Sequence, residues 1–325
     1  MADARRLSEA NEHIAAAEKS LKTSFFKWKP DFGSAAHEYE QAAICFKNAK
    51  KPMEAKKAYI NAAGAHRNND ALFHAGKAYE QAAFIMKEMK DWGEVMGLFE
   101  KAASLYQEHG TPDTAAITLE KAAKMLETGN PRMAVEFYQK ACDVVELEER
   151  PRQIVDFLGK SARILVNIQD YDQAAKLLSR ERDMRNDLGD IDATNRTVSA
   201  LVLVHLKRGD YVAADKMCGI AMSFDGYAGS DVASALHHLL ESYDKQDEET
   251  FAQILNLPLF RYMDNCYVKL ARSLKVPGGG GGSKKAASSS SAAGGAGGSG
   301  ISAGGAEGGA VDGQEDDDDD DFSLR

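Results

Sequence analysis

Small residues recur along this chain at a nearly constant step. Tyr39-Glu40-Gln41-Ala42-Ala43 returns letter for letter as Tyr79-Glu80-Gln81-Ala82-Ala83, forty positions later. Looser copies stand at Asn61-Ala62-Ala63, Glu100-Lys101-Ala102-Ala103, Glu120-Lys121-Ala122-Ala123, Gln139-Lys140-Ala141-Cys142 and Lys160-Ser161-Ala162. The small pairs begin at 42, 62, 82, 102, 122, 141 and 161. A step of twenty fits one helix of about sixteen residues and a turn, and two steps make a helical hairpin of about forty residues. Alanine lets a neighbouring helix approach closely, while large residues three or four positions away fill the groove. Tyr39, Ala42 and Phe46 follow that spacing, as do Phe99, Ala102 and Tyr106.

The elements follow from this pattern. A first helix over 8–21 is predicted from Leu7, Ala10, Ile14, Ala17 and Leu21, which share one face. A loop over 22–32 follows, because Pro30 disfavours helix at Lys29. Hairpins run from Ser34 to about Leu188. Asp170-Tyr171-Asp172-Gln173-Ala174-Ala175 recurs as Asp210-Tyr211-Val212-Ala213-Ala214 and carries the repeat to about Ile220. Gly110-Thr111-Pro112-Asp113 reads as a terminal glycine, a capping threonine, a first-turn proline and a first-turn acid. Gly129-Asn130-Pro131 repeats the device with asparagine. After Ser223 the period is lost, and helices are expected over 232–243 and 259–274. The expected fold is all-α: a TPR-like, right-handed α-solenoid of helical hairpins over 1–222, closed by a C-terminal helical bundle over 223–277. Residues 278–325 read as a disordered Gly/Ser/Ala-rich linker with an acidic tail.

Charge sharpens this division. The net charge of −10 is uneven, because residues from Gly278 onward contribute −6 and leave −4 for the rest. A nearly neutral folded part argues against a nucleic-acid partner. Cys45, Cys142, Cys218 and Cys266 have no paired spacing, so buried free thiols are expected rather than a zinc or disulfide framework. No apolar run is long enough to span a bilayer, and Met1-Ala2-Asp3-Ala4-Arg5-Arg6 lacks a signal-peptide core, so a cytoplasmic location is expected.

The residues that could carry chemistry read mostly as structure. Gly278–Gly282 with Lys284 lacks the order, strand and helix of a phosphate loop. His237, His238 and Glu241 share a predicted helix, but adjacent histidines point about 100° apart. Met86, Met89 and Met96 read as gap-filling core. No catalytic cluster and no cofactor site is expected. Two features stand out. Phe25, Phe26 and Trp28 interleave with Lys22, Lys27 and Lys29, as befits a bilayer interface, although the rings could instead cover the first hairpin's end. Leu324 stands behind Asp316–Asp321 on the tail, either as an apolar anchor or as a plain chain end.

The helical step, the loop Phe25-Phe26-Lys27-Trp28-Lys29-Pro30-Asp31 and the phrase Glu108-His109-Gly110-Thr111-Pro112-Asp113-Thr114-Ala115-Ala116 resemble the soluble NSF attachment proteins (SNAPs), the gamma type in particular. Tyr262-Met263-Asp264-Asn265 and Val276-Pro277-Gly278-Gly279-Gly280 also match that type, and the resemblance covers about residues 1–280. It implies an adaptor, not an enzyme, that coats SNARE complexes and recruits NSF, a hexameric AAA ATPase, while resting peripherally on a membrane surface. Carried over residue by residue, it assigns Phe25, Phe26, Lys27, Trp28 and Lys29 to the membrane, and Glu241, Asp244 and Leu324 to NSF. Lys245 stands where the alpha type has an acid, and Ile117 and Asp156 where it has SNARE-facing lysines. Two rivals remain: a generic TPR-like module that binds a peptide, and an enzyme on a helical scaffold. The first would show a period of about 34 residues and a W-x2-L-G-x2-Y phrase; the second would need clustered catalytic groups.

Overall fold

The structure, a computed structural model, describes residues 2–23 and 28–277. Among these residues every regular element is helical: α1 (Ala2–Leu21), α2 (Phe32–Asn48), α3 (Pro52–Asn68), α4 (Leu72–Glu88), α5 (Trp92–Glu108), α6 (Pro112–Leu126), α7 (Pro131–Glu146), α8 (Pro151–Asn167), α9 (Tyr171–Asp187), α10 (Ile191–Lys207), α11 (Tyr211–Ala221), α12 (Asp231–Asp244), α13 (Glu248–Leu255), α14 (Pro258–Arg261) and α15 (Asn265–Arg272). From α1 to α11 each helix packs on the next, the arrangement of an α-solenoid of hairpins. The small pairs do what their spacing predicts. From Ala42-Ala43 to Ser161-Ala162 every member is at most 4% exposed, so the helices meet along alanine-lined seams. Tyr39, Phe46, Phe99 and Tyr106 fill the grooves beside them.

The turns share one backbone device. A residue with left-handed φ falls at 50, 70, 90, 110, 149, 169, 189 and 209. The residue after it donates its N–H back into the finished helix: Lys51 to Phe46 O (2.9 Å), Thr111 to Tyr106 O (2.8 Å), Asp170 to Leu165 O (2.9 Å) and Asp210 to His205 O (2.9 Å). This is a Schellman closure, and the donating residue is at once the N-cap of the next helix. Asp91, Asp170, Asp190 and Asp210 complete the join by accepting an N–H of that helix's first turn. Two turns differ from expectation. Thr111 holds the N-cap position, but its hydroxyl donates to Tyr106 O at 3.0 Å instead of capping α6. Gly129 is not left-handed; its missing side chain makes room for Trp92, whose Cζ2 would lie 3.0 Å from an added Cβ.

Ion pairs tie helices that are next but one. Lys160 Nζ lies 2.6 Å from Glu120 Oε1, Lys121 Nζ lies 3.5 Å from Glu80 Oε1, and Lys140 pairs with Glu100. The acid and the lysine both come from the repeated phrase, so one repeat of sequence spaces one rung of the ladder.

Element ends depart from expectation in several places. α1 begins at Ala2, where Arg6 pairs with Asp3 and donates to Asn48 O. Phe32 belongs to α2, because Asp31 caps that helix through Ser34 N. The helix expected over 259–274 is two, broken at Tyr262–Asp264, where the extended Asp264 gives its carboxylate to Arg163 of α8 at 3.1 Å. Asp247 caps the unforeseen α13. Met86 is buried and Met96 packs on the core, but Met89 caps the end of α4 with its side chain exposed. α12 contacts α10 and α11, and α15 contacts α8 and α10, so the last helices share one hydrophobic cluster with the hairpins.

Candidate functional site

The connection between α1 and α2 is tied at both ends. Lys22 donates to Lys19 O at 3.2 Å, and Asp31 donates to Ser20 O at 3.0 Å. The Asp31 carboxylate also takes the Ser34 hydroxyl at 2.8 Å. Held this way, the connection leaves Trp28 with 88% of its surface exposed, and Lys29 is exposed beside it. Trp28 therefore does not cover the hairpin end. Phe25, Phe26 and Lys27 lie outside the described residues.

The second region is the α12–α13 turn. Leu239 and Leu240 are buried, so the surface here is polar, with His238, Asp244 and Lys245 exposed around the half-buried Glu241. Glu241 accepts from Lys245 Nζ at 2.5 Å, with His238 at 3.6 Å. The Lys245 hydrogen bond holds the Glu241 carboxyl below its ordinary range, and the same bond raises Lys245. Asp244 is exposed. The turn brings Asp247, Glu248 and Glu249 to the same exposed edge. These three escaped the sequence reading, although the run Asp244-Lys245-Gln246-Asp247-Glu248-Glu249 is a legible acidic string. Leu324 lies outside the described residues.

Between α8, α9, α10 and α15 lies a cavity of about 380 Å³ bordered by Arg163, Glu181, Arg185, Asp190 and Asp264. Burial raises Glu181, opposed by Arg185, whose Nε lies 2.9 Å away. Arg163 and Asp264 also pair across it, so its charges serve one another and join the helices. His237 and His238 are both exposed, with ring centres 5.8 Å apart. No helix of the described residues is long and apolar enough to cross a membrane.

These elements define a helical-repeat scaffold with an exposed tryptophan in the connection of its first hairpin and exposed acids near its last helices. The sequence model described as "Soluble NSF attachment protein, SNAP" matches residues 8–257, and the chain belongs to that family. It is 27% identical over 270 residues to the gamma-soluble NSF attachment protein of Arabidopsis thaliana, covering 82% of this chain and 92% of that one. It is 25% identical over 268 residues to the gamma-soluble NSF attachment protein of Dictyostelium discoideum, covering 82% and 83%. The beta-soluble NSF attachment protein of Bos taurus is 24% identical over 263 residues, covering 78% and 88%.

Proposed function

We propose that this chain is an adaptor, without chemistry of its own, that binds SNARE complexes and recruits the NSF ATPase for their disassembly in vesicle traffic and membrane fusion. The observation that carries the reading is the family match, which runs from within α1 to the end of α13 without leaving the scaffold. In this reading 1–222 form the solenoid, 223–277 the C-terminal bundle, and 278–325 a linker with an acidic tail. The exposed Trp28 and Lys29 support a peripheral contact with a membrane from the cytoplasmic side, with Phe25, Phe26 and Lys27 completing it. The exposed Asp244 beside Glu241 supports an NSF contact there, with Leu324 as a second anchor.

The test is a pull-down in which the adaptor meets NSF and a preformed SNARE bundle, with each omitted in turn. Retention of NSF that depends on both adaptor and SNARE bundle is expected. Binding of either partner without the ternary assembly would favour a generic peptide-binding scaffold.

A further inference from the structure

Glu9 and His13 lie four residues apart on α1, and Cys45 faces them from α2. That spacing puts the carboxylate and the imidazole on one face of the helix, one turn apart. A carboxylate oxygen, a ring nitrogen and the thiol sulfur lie within 4.8 Å of one another. Tetrahedral zinc with bonds of about 2.0–2.3 Å needs donors about 3.3–3.8 Å apart, so side-chain adjustments of about an ångström close the set.

A second contact points the same way. His13 Nδ1 lies 2.7 Å from Glu38 Oε2 of α2. Histidines that bind metals are usually oriented by a carboxylate on their other ring nitrogen, and Glu38 leaves Nε2 as the free donor. His13, Glu38 and Cys45 are partly buried, while Glu9 is exposed.

We propose that Glu9, His13 and Cys45 form a site for a divalent transition metal, zinc by its mixed oxygen, nitrogen and sulfur donors, with Glu38 orienting the imidazole. Binding forms a zinc–sulfur bond as the Cys45 S–H bond breaks; the proton passes to solvent and no electron is transferred. One thiolate and one carboxylate balance the two positive charges. A fourth position faces solvent on the Glu9 side and takes water. The bound ion would staple α1 to α2 at the end of the hairpin remote from the connection that carries Trp28.

The test uses the full chain under reducing conditions, with zinc followed by calorimetry and cobalt(II) by absorption. One equivalent should bind, with a thiolate-to-cobalt band that acidic residues of the tail cannot produce. Cys45→Ser should abolish the band and Cys218→Ser should keep it. Glu9→Gln and His13→Asn should weaken zinc binding at least about 10-fold, and Glu38→Gln by about 10–100-fold with the band retained. No band in the unaltered chain, or a band that survives Cys45→Ser, overturns the site. Circular dichroism checks folding. Should Cys45→Ser unfold, Glu9→Gln decides alone, since its side chain is exposed: undiminished zinc affinity overturns the site.

Discussion

The Tyr106 hydroxyl donates a 2.7 Å hydrogen bond to Glu80 Oε2, joining α5 to α4 inside the core. The same carboxylate receives Thr118 Oγ1 at 3.4 Å and Lys121 Nζ at 3.5 Å from α6, so one acid ties three successive helices. Burial and the Glu80 bond both raise the Tyr106 hydroxyl above its ordinary range, so it stays a donor. Tyr106→Phe is expected to cost about 1–3 kcal/mol, because Glu80 remains buried and loses its nearest donor. Urea denaturation of both proteins measures this; an unchanged midpoint would mean that the remaining partners suffice.

His205, near the end of α10, is expected to make stability depend on pH. Burial lowers its pKa below 6.5, Arg208 and Arg182 add to this, and Asp210 opposes them. Arg208 Nη1 lies 3.2 Å from His205 Nδ1, a contact that suits a neutral ring. A lowered histidine binds its proton later in the folded chain than in the unfolded one. Below pH about 6.5 the unfolded state therefore holds more protons, and stability falls as pH falls. Thermal melts across that window should show a shallower fall for His205→Gln.

The turns offer a test of opposite signs. Lys50, Glu149 and Gln169 hold left-handed φ values of 55°, 54° and 63°. Such a backbone costs a residue with Cβ roughly 1–2 kcal/mol, partly offset by the roughly 0.5–1 kcal/mol that glycine loses in entropy. Each change to glycine is expected to stabilise by about 0.5–1 kcal/mol. Gly110→Ala, at φ 82° with open space around the added methyl, should instead destabilise through backbone strain alone. Equal effects at the two kinds of site would refute the assignment.

For the α1–α2 connection, replacing Phe25, Phe26 and Trp28 together by serine is expected to weaken binding to anionic liposomes with the melting temperature unchanged. Each buried ring contributes about 1.5–3 kcal/mol, so the loss should be large. A lower melting temperature with intact lipid binding would assign the rings to packing.

At the other end, Leu324→Ala is expected to reduce stimulation of NSF ATP hydrolysis and SNARE disassembly more than it reduces binding. Removing Asp316–Asp321 should mainly slow association at low salt. Rates at saturating adaptor separate the two, and a Leu324→Ala protein equal to the unaltered chain would make the tail's end a plain terminus.

The helices from α2 to α8 were legible because their signal is redundant: a small pair recurs in each, and most add flanking aromatics and a proline or aspartate start. The turns were half legible. Glycine announces the left-handed residue at Gly110, Gly189 and Gly209, but Lys50, Asp70 and Lys90 take the same φ with no local signal, since packing of the next helix imposes it. The break at Asp264 was hidden for a related reason. Its apolar spacing continues through Met263, Tyr267 and Leu270, and only the ion pair with Arg163, a hundred residues earlier in the chain, shows why the helix stops. Of the candidate site residues, Trp28 stood out in the sequence as an aromatic among lysines, but its exposure is seen only in the structure. The joining of Glu9 and His13 to Cys45 was not legible, because no spacing rule links residues that meet only across a hairpin.

The alanine seams also bear on how the scaffold carries load. A seam packed with leucine or methionine can yield by exchanging rotamers, which absorbs a displacement where it is applied. Alanine has no such rotamers, and the pairs from Ala42 to Ala162 are almost wholly enclosed. A push on one helix therefore has little side-chain slack to take up and passes to the next as motion of the whole backbone. Force applied at one end of such a stack arrives at the other, which is what the adaptor role proposed above would require.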